Sequence, residues 1–458
     1  MTDTAYHLVG AGGIGMSAIA RLLLARGARV SGSDLRRSPL TDQLEREGVR
    51  IAIGHAAANV EGADVVVVSS AIGIENPELG AAVERRIDVM TRGQMLAQLA
   101  AGQRLIAVAG THGKTTTTAM LATIFERAGL DPTVAVGGVR VDTGSNARTG
   151  AGNWFVTEAD ESDGSFLELQ PTIAVVTNIE NDHIASDDEL PQLLAQFATF
   201  VSKVPPQGRA VIGTDNPASA LLASQARAAV ATFATRGDAE LVATDISYVD
   251  LGSSFIVREL GTALGMVALN VPGEINVQNA LAALCTARAA GLSFEPTAQA
   301  LAEFHGVERR FQIVGRGAFT VVDDYAHHPT AIEKTIAAAR GLAGSAPVYV
   351  AFQPHRFTRT RYLRDGFAAA LRGADRVFLA PVYAAAEAPI PGVSSRSIGE
   401  PLAKCGTVVT YVDEVDELVD VLAREVPDGA LVLMLGAGSI SAVAHRLGER
   451  VAATSIAR

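Results

Sequence analysis

Apolar runs of four or five residues recur along the whole chain, and each stops at a glycine or a polar cluster. The clearest are Tyr6–Val9, Val65–Val68, Leu105–Ala109, Trp154–Thr157, Ile173–Thr177, Phe319–Val322, Val348–Phe352 and Leu431–Leu435. Runs of this length, bounded by turn residues, predict buried strands. Between them the pattern turns helical. Met16–Ala25 stops at Gly27, Thr116–Ala128 ends on Gly129 as a C′ glycine, and Pro272–Ala283 enters an Ala-rich stretch. Asn76-Pro77 reads as a turn. Strands alternating with helices predict an α/β fold with mostly parallel sheets. Strand C-termini of such sheets share an edge where ligands bind, so the residues that follow each run are the candidate chemistry.

Length and composition narrow the classes. A chain of 458 residues suggests about three domains, expected at residues 1–103, 104–311 and 312–458. Apolar residues make up 48% and charged residues 19%, which predicts a well-buried globular protein. The net charge of −11 argues against a nucleic-acid backbone as main partner, so any phosphate must be bound by a local site. Cys285 and Cys405 sit in Ala/Leu-rich surroundings and are expected to be reduced core thiols. No apolar run approaches the ~18 residues of a membrane span, and the N-terminus lacks a signal-peptide pattern. A cytoplasmic protein without membrane or nucleic-acid partners is expected. No internal repeat or low-complexity tract is seen.

Two glycine loops stand out. After Leu105–Ala109 comes Gly110-Thr111-His112-Gly113-Lys114-Thr115-Thr116. A glycine loop between a strand and a helix N-terminus cradles phosphate with backbone N–H groups and the helix dipole. Lys114 is expected to reach the terminal phosphates and the Thr115 hydroxyl to ligate Mg²⁺. The general pattern has Gly six residues before the Lys, where this chain has Val108; the loop is a shortened G-x-x-G-K-T. Tyr6–Val9 is followed by Gly10-Ala11-Gly12-Gly13-Ile14-Gly15, which fits G-x-G-x-x-G. A second strand, Arg29–Ser31, leads to Asp34, where a ribose-binding acid often sits. That motif secures a diphosphate, whatever nucleotide carries it. Taken alone it also supports an NAD-dependent oxidoreductase, but the second loop would then have no role.

Polar clusters follow the remaining strands. Glu158-Ala159-Asp160-Glu161-Ser162-Asp163 places four carboxylates in six residues, which repel one another unless solvated or near a cation. With Asn178-Ile179-Glu180-Asn181-Asp182-His183 they are candidate Mg²⁺ partners, an ion that prefers oxygen ligands; a buried, satisfied His183 is an equal alternative. Asn276 and Asn279 could meet an adenine edge, although their spacing favours helix capping. Arg309 and Arg310 could be surface charge or could reach a nucleotide. In the last third, Asp323-Asp324-Tyr325-Ala326-His327-His328-Pro329-Thr330 and Gln353-Pro354-His355-Arg356-Phe357-Thr358-Arg359-Thr360-Arg361 both follow strands. Arginines so spaced form an anion clamp suited to a carboxylate. Clustered carboxylates and a clamp on one edge point to turnover rather than to a nucleotide-sensing module.

The motifs GAGGIGMS with GSDL, AGTHGKTTTT, EADESDGSF, TNIENDH, NVQNALAA, GVERRF, DDYAHHPTA, FQPHRFTRTR and VYAAAEAPIPG together resemble the Mur ligase family over the whole chain. The resemblance implies an N-terminal Rossmann-like domain for a UDP-sugar, a central P-loop ATPase domain and a C-terminal Rossmann-like domain. It implies an ATP-dependent ligase that joins L-alanine to the lactyl carboxylate of UDP-N-acetylmuramate through an acyl phosphate, as monomer or homodimer. Gly12, Gly13, Ile14, Gly15, Asp34, Ser69 and Ser70 would then hold the UDP-sugar. ATP would lie on Gly110 to Thr116, near Asn276, Asn279, Arg309 and Asp324, with Lys114 acting in the chemistry. Mg²⁺ would be held by Thr115, Glu158 and His183. His327, Arg356 and Arg359 would receive L-alanine. The family often has an apolar residue and an Asp after Asp182-His183; this chain has Ile184-Ala185-Ser186 there. Lys203 is the only lysine near the place where some relatives carry a carbamylated one, and it is given no such role.

Overall fold

The computed structural model describes residues 3–180, 190–249, 252–385 and 387–456. Three sheets follow one another along the chain. The first is wholly parallel, in the order β3-β2-β1-β4-β5, from β1 (Ala5–Val9), β2 (Arg29–Asp34), β3 (Arg50–Ile53), β4 (Val65–Val68) and β5 (Asp88–Thr91). Its helices include α1 (Ile14–Ala25), α2 (Pro39–Arg46), α3 (Pro77–Glu84) and α4 (Arg92–Ala100). Asn76 is not a turn but the N-cap of α3: its Oδ1 accepts from the Glu78 N–H at 2.9 Å, with Pro77 at the first helical position.

The second sheet is built around β6 (Arg104–Ala109), which lies between β9 (Trp154–Glu158) and β10 (Ile173–Val176). Beyond β9 come β7 (Thr133–Ala135) and β8 (Ala147–Arg148). Beyond β10 come β11 (Arg209–Gly213), β12 (Ala229–Ala234), β13 (Leu241–Val249), β14 (Gly252–Glu259) and β15 (Thr262–Leu269), ten strands in all. Every residue of β6 after Arg104 is buried, as a central parallel strand requires. Helix α5 (Lys114–Arg127) follows it and is buried continuously from Thr115 to Phe125. It therefore has no amphipathic stripe, and burial overrides the poor helix propensity of four successive threonines. The helix starts two residues earlier than its apolar pattern predicts, because Gly113 in the left-handed region (φ +87°) ends the loop directly before Lys114.

The third sheet runs β16-β17-β21-β18-β19-β20, from β16 (Gln312–Arg316), β17 (Thr320–Asp324), β18 (Val348–Phe352), β19 (Arg376–Leu379), β20 (Val408–Tyr411) and β21 (Leu431–Leu435). Only β16 is antiparallel to its neighbour.

The chain packs into two compact units, Met1–Thr244 with Ile256–Val267 and Gln278–His305, and Asp245–Phe255 with Ala268–Val277 and Gly306–Arg458. The first sheet and the second sheet from β6 to β12 fall in one unit, where one hydrophobic core, from Tyr6 through Leu99 to Phe200, runs under both. The Asn146 side chain also donates to the Ile14 carbonyl at 2.6 Å and to Ser17 Oγ at 3.0 Å, tying the loop before β8 to α1. Among the described residues no helix is long and apolar enough to cross a membrane. Cys285 is buried as expected. Cys405 is not a core thiol: it follows the last turn of the helix Arg396–Lys404 and is exposed, with Arg372 Nη2 2.8 Å from its sulfur.

Candidate active site

The loop between β6 and α5 needs glycine for physical reasons. Gly110 has φ +129°, and a Cβ there would run into the Thr177 hydroxyl. A Cβ on Gly113 would run into the Asn279 side chain. The loop is also pinned from β10: the Thr111 and His112 N–H groups donate to the Asn178 carbonyl at 3.0 Å and to Asn178 Oδ1 at 2.9 Å. Thr177 Oγ1 donates to the His112 carbonyl at 2.6 Å, and the Glu180 N–H donates to Thr111 Oγ1 at 2.8 Å. No side chain caps α5, so its dipole and N–H groups face the loop.

The four carboxylates that begin at the last residue of β9 divide among distinct partners. Glu158 Oε2 accepts from Thr115 Oγ1 at 3.1 Å, and Oε1 accepts from the Gly137 N–H. Glu161 Oε1 lies 2.9 Å from Lys114 Nζ, which also donates to the Gly110 carbonyl at 2.6 Å. Asp160 and Asp163 lie 3.2 and 3.0 Å from Arg92 Nη2 at the start of α4. Burial alone would lower the Lys114 pKa, but Glu161, Asp160 and Glu158 outweigh it and hold the ammonium charged. Glu161 Oε2 is buried without a hydrogen-bond partner among the described residues. Thr115 and Glu158 thus offer adjacent hard oxygen donors, and the donor set fits Mg²⁺. His183, the third metal ligand expected, lies outside the described residues.

Asn276 and Asn279 do not cap their helix, because it runs over Glu274–Ala289 and begins before both. Asn276 Nδ2 donates to the Pro272 carbonyl at 2.7 Å. Asn279 Oδ1 accepts from Thr117 Oγ1 at 3.3 Å and stands beside Gly113, which brings it to the phosphate loop.

The first glycine loop is held differently. The Gly10 and Ala11 N–H groups both donate to the Ser33 carbonyl at 2.9 Å. The Gly12 N–H donates to Asp34 Oδ2 at 3.0 Å, and a Cβ on Gly12 would meet that oxygen at 2.8 Å. Gly13 is the N-cap of α1, with no side-chain cap, and Ile14 and Gly15 form its first turn. Ser69 and Ser70 follow β4, the strand beside β1, on the same edge. Beneath lies buried Glu78, which accepts from Ser33 Oγ at 2.6 Å and has His55 Nδ1 at 3.0 Å. Burial would raise its pKa, but hydrogen bonds from His7, Ser33 and Asn59 outweigh that and bring it down to about 2.

In the third sheet, β17, β21 and β18 are neighbours and their C-termini converge. Asp324 is buried and its carboxylate accepts from the Phe311 and Ala326 N–H groups, each at 2.7 Å; burial raises its pKa despite these bonds and Arg310. Arg309 stacks on Tyr325 and donates to the Gly436 carbonyl at 2.8 Å, so it is a structured residue and not loose surface charge. His327 Nδ1 is 2.8 Å from the Tyr325 carbonyl, which can only accept, so the proton sits on Nδ1 and Nε2 is the basic nitrogen. Arg356 (φ +70°) is the N-cap of the short helix Phe357–Tyr362, which carries Arg359.

Sequence reasoning missed His355 here. Its ring stacks on Tyr383 at 5.5 Å and stands 5.9 Å from the His327 ring. Burial, Arg359 and Arg356 bring its pKa down to about 4, so it stays neutral at pH 7. It also missed Arg92, whose partners lie about seventy residues away.

Family models match three consecutive stretches: "Mur ligase family, catalytic domain" over residues 5–104, "Mur ligase middle domain" over 108–287, and "Mur ligase, glutamate ligase domain" over 309–438. A UDP-N-acetylmuramate–L-alanine ligase from Geotalea daltonii is 44% identical over 447 residues, 97% of each chain. One from Acidithiobacillus ferrooxidans is 46% identical over 444 residues, 96% of each chain. The crystal structure of a UDP-N-acetylmuramate–alanine ligase from Thermotoga maritima superposes with a TM-score of 0.86 at 29% identity, covering 98% of this chain and 99% of that one.

Proposed function

The chain belongs to the Mur ligase family, and we propose from that premise how its three sheets divide one reaction. It is an ATP-dependent ligase that joins L-alanine to the lactyl carboxylate of UDP-N-acetylmuramate, an early step of peptidoglycan synthesis. The observation that carries the site assignment is Lys114-Thr115 at a strand–helix glycine loop, with Glu158 and Glu161 brought to it from the neighbouring strand.

In this reading the Gly12–Gly15 loop, with Asp34, Ser69 and Ser70, holds the UDP-sugar, and Gly110–Thr116 holds the ATP phosphates. The lactyl carboxylate attacks the γ-phosphorus, the bond to ADP breaks, and an acyl phosphate forms. Two anions must meet, so Lys114 moves its charge from Glu161 to the transferring phosphoryl group. Thr115 and Glu158, with His183, would hold Mg²⁺, which would supply further charge neutralisation there. Asn276, Asn279, Arg309 and Asp324 position the nucleotide.

The alanine amine then attacks the acyl carbonyl, and phosphate leaves with the bonding electrons from the tetrahedral intermediate. Arg356 and Arg359 take the alanine carboxylate, which leaves the amine unencumbered. His327, with its proton on Nδ1, presents Nε2 as the acceptor for the amine proton. We place the enzyme in the cytoplasm with its nucleotide substrates.

Phosphate release should require UDP-N-acetylmuramate and L-alanine together, with glycine and L-serine as competitors in an amino-acid panel. Release independent of either substrate would overturn the assignment. Arg356→Lys keeps the charge but loses the planar fork. It should raise KM for L-alanine about tenfold or more, on the roughly 1.5–3 kcal/mol scale of a charged hydrogen bond, with the ATP KM little changed. A wild-type KM in this variant would place the amino-acid site elsewhere.

A further inference from the structure

Arg92 stands between the first turn of α1 and the acidic run that follows β9. It is the first residue of α4, directly after the Thr91 cap, whose Oγ1 accepts from the Gln94 N–H at 3.2 Å. Its Nη2 donates to Asp160 Oδ2 at 3.2 Å, Asp163 Oδ2 at 3.0 Å and Ser165 Oγ at 3.1 Å. Its Nη1 and Cδ lie 3.2 and 3.3 Å from where a Cβ on Gly15 would stand, against the first turn of α1. A Cβ on Gly93 would meet Ser165 Cβ at 2.7 Å, so the α4 N-terminus is pressed onto the turn that ends the acidic run. The side chain is 19% exposed, and no hydrogen bond to Nη1 or Nε occurs among the described residues. One end of the guanidinium is thus committed to the acidic run. The other faces the helix that carries the first glycine loop.

That acidic run also supplies Glu161 to Lys114 and Glu158 to Thr115. Between Gly15 and Lys114 there is therefore a continuous path: Arg92, then Asp160 and Asp163, then Glu161 on the same short segment. We propose that Arg92 is a positioning residue that couples the two loops. A sugar-nucleotide diphosphate on the first loop engages the unused guanidinium donors, which holds Asp160 and Asp163 in place and so orders the segment that presents Glu158 and Glu161 to the ATP loop. Either ligand then meets part of the ordering cost for the other, and each tightens the other by the same factor. The proposal rests on the reading that the first loop holds the UDP-sugar diphosphate.

Titration calorimetry on the full chain tests it, with a non-hydrolysable ATP analogue and Mg²⁺, without and with saturating UDP-N-acetylmuramate and no amino acid. The ratio of the two analogue Kd values should be about 5 or more in the wild type, the lower end of the usual range for coupled sites. Arg92→Gln should bring that ratio close to one. Arg92→Lys keeps the charge but cannot reach two ways, and should also lose most of the coupling. The decisive variant is Asp160→Asn with Asp163→Asn, which should lose the coupling while UDP-N-acetylmuramate still binds on its own. A residue serving stability alone would lower the unfolding temperature and leave the ratio intact. A ratio of one in the wild type, or a wild-type ratio in Arg92→Lys or the double Asn variant, overturns the proposal. If Gly12→Val leaves the affinity for UDP-N-acetylmuramate unchanged, it is the first-loop assignment that fails.

Discussion

The two glycine loops, Gly10–Gly15 and Gly110–Thr115, share a plan: a buried strand, tight turns at positive φ, and a helix whose N-terminus no side chain caps. Their surroundings differ. The first loop is followed by Ile14, Gly15 and Met16, and Asp34, at the end of the neighbouring strand, is spent on the Gly12 N–H. Directly after Gly113 the second carries Lys114 and Thr115, each facing its own carboxylate. Glycines and a helix dipole suffice to hold a diphosphate. Moving a phosphoryl group needs a mobile positive charge and hard oxygen ligands as well. In the proposed division of labour the first loop is therefore a holder, and the second is where bonds change.

Lys114→Ala should break this contrast most sharply. Losing one preorganised donor to a developing charge costs about 10²-fold or more in kcat, to be read by steady-state phosphate release. Turnover within a few-fold of wild type would move the chemistry away from this loop. Glu158→Gln comes next. It should raise the Mg²⁺ concentration for half-maximal activity by on the order of tenfold or more, in a metal titration. An unchanged Mg²⁺ requirement would remove Glu158 from the ion's ligands.

For the holder, Gly12→Val should raise KM for the UDP-sugar about tenfold, some 1.4 kcal/mol, because the new side chain displaces Asp34. The analogue affinity measured without UDP-sugar should be spared, and equal loss of both would mean that the loops are not separate sites.

Smallest is Glu78→Gln, under the first loop. Through Ser33, Glu78 steadies the carbonyl that takes the Gly10 and Ala11 N–H groups. Its folded pKa of about 2 lies below the unfolded value of about 4.3, so its contribution is complete above that value and is lost as pH falls toward 2. The variant should melt about 2–4 °C lower at pH 7 for each kcal/mol lost, with the gap closing between pH 4 and 2. A gap constant across that range would deny Glu78 its charge-dependent role.

What the chain spelled out locally is visible in β6, where five apolar residues and two glycines announce a buried strand and a phosphate loop within a dozen positions. Burial pattern and backbone sterics act over a few residues, so apolar runs, glycines and the Lys-Thr pair carry their meaning in place. Local cues also misled: Asn76 opens a helix, Asn279 reaches across to Gly113 and Thr117, and Cys405 surfaces at a helix end. Each of those outcomes depends on what packs opposite. The same holds for the acidic run, whose composition says only that four charges need partners. Glu161 finds Lys114 across 47 positions, and Asp163 finds Arg92 across 71. Which carboxylate meets which cation is set by the order β10-β6-β9 and by the shared core that seats α4 against the second sheet. Long-range neighbours of this kind arise only when the sheets assemble, because no local periodicity encodes which strand will lie beside which.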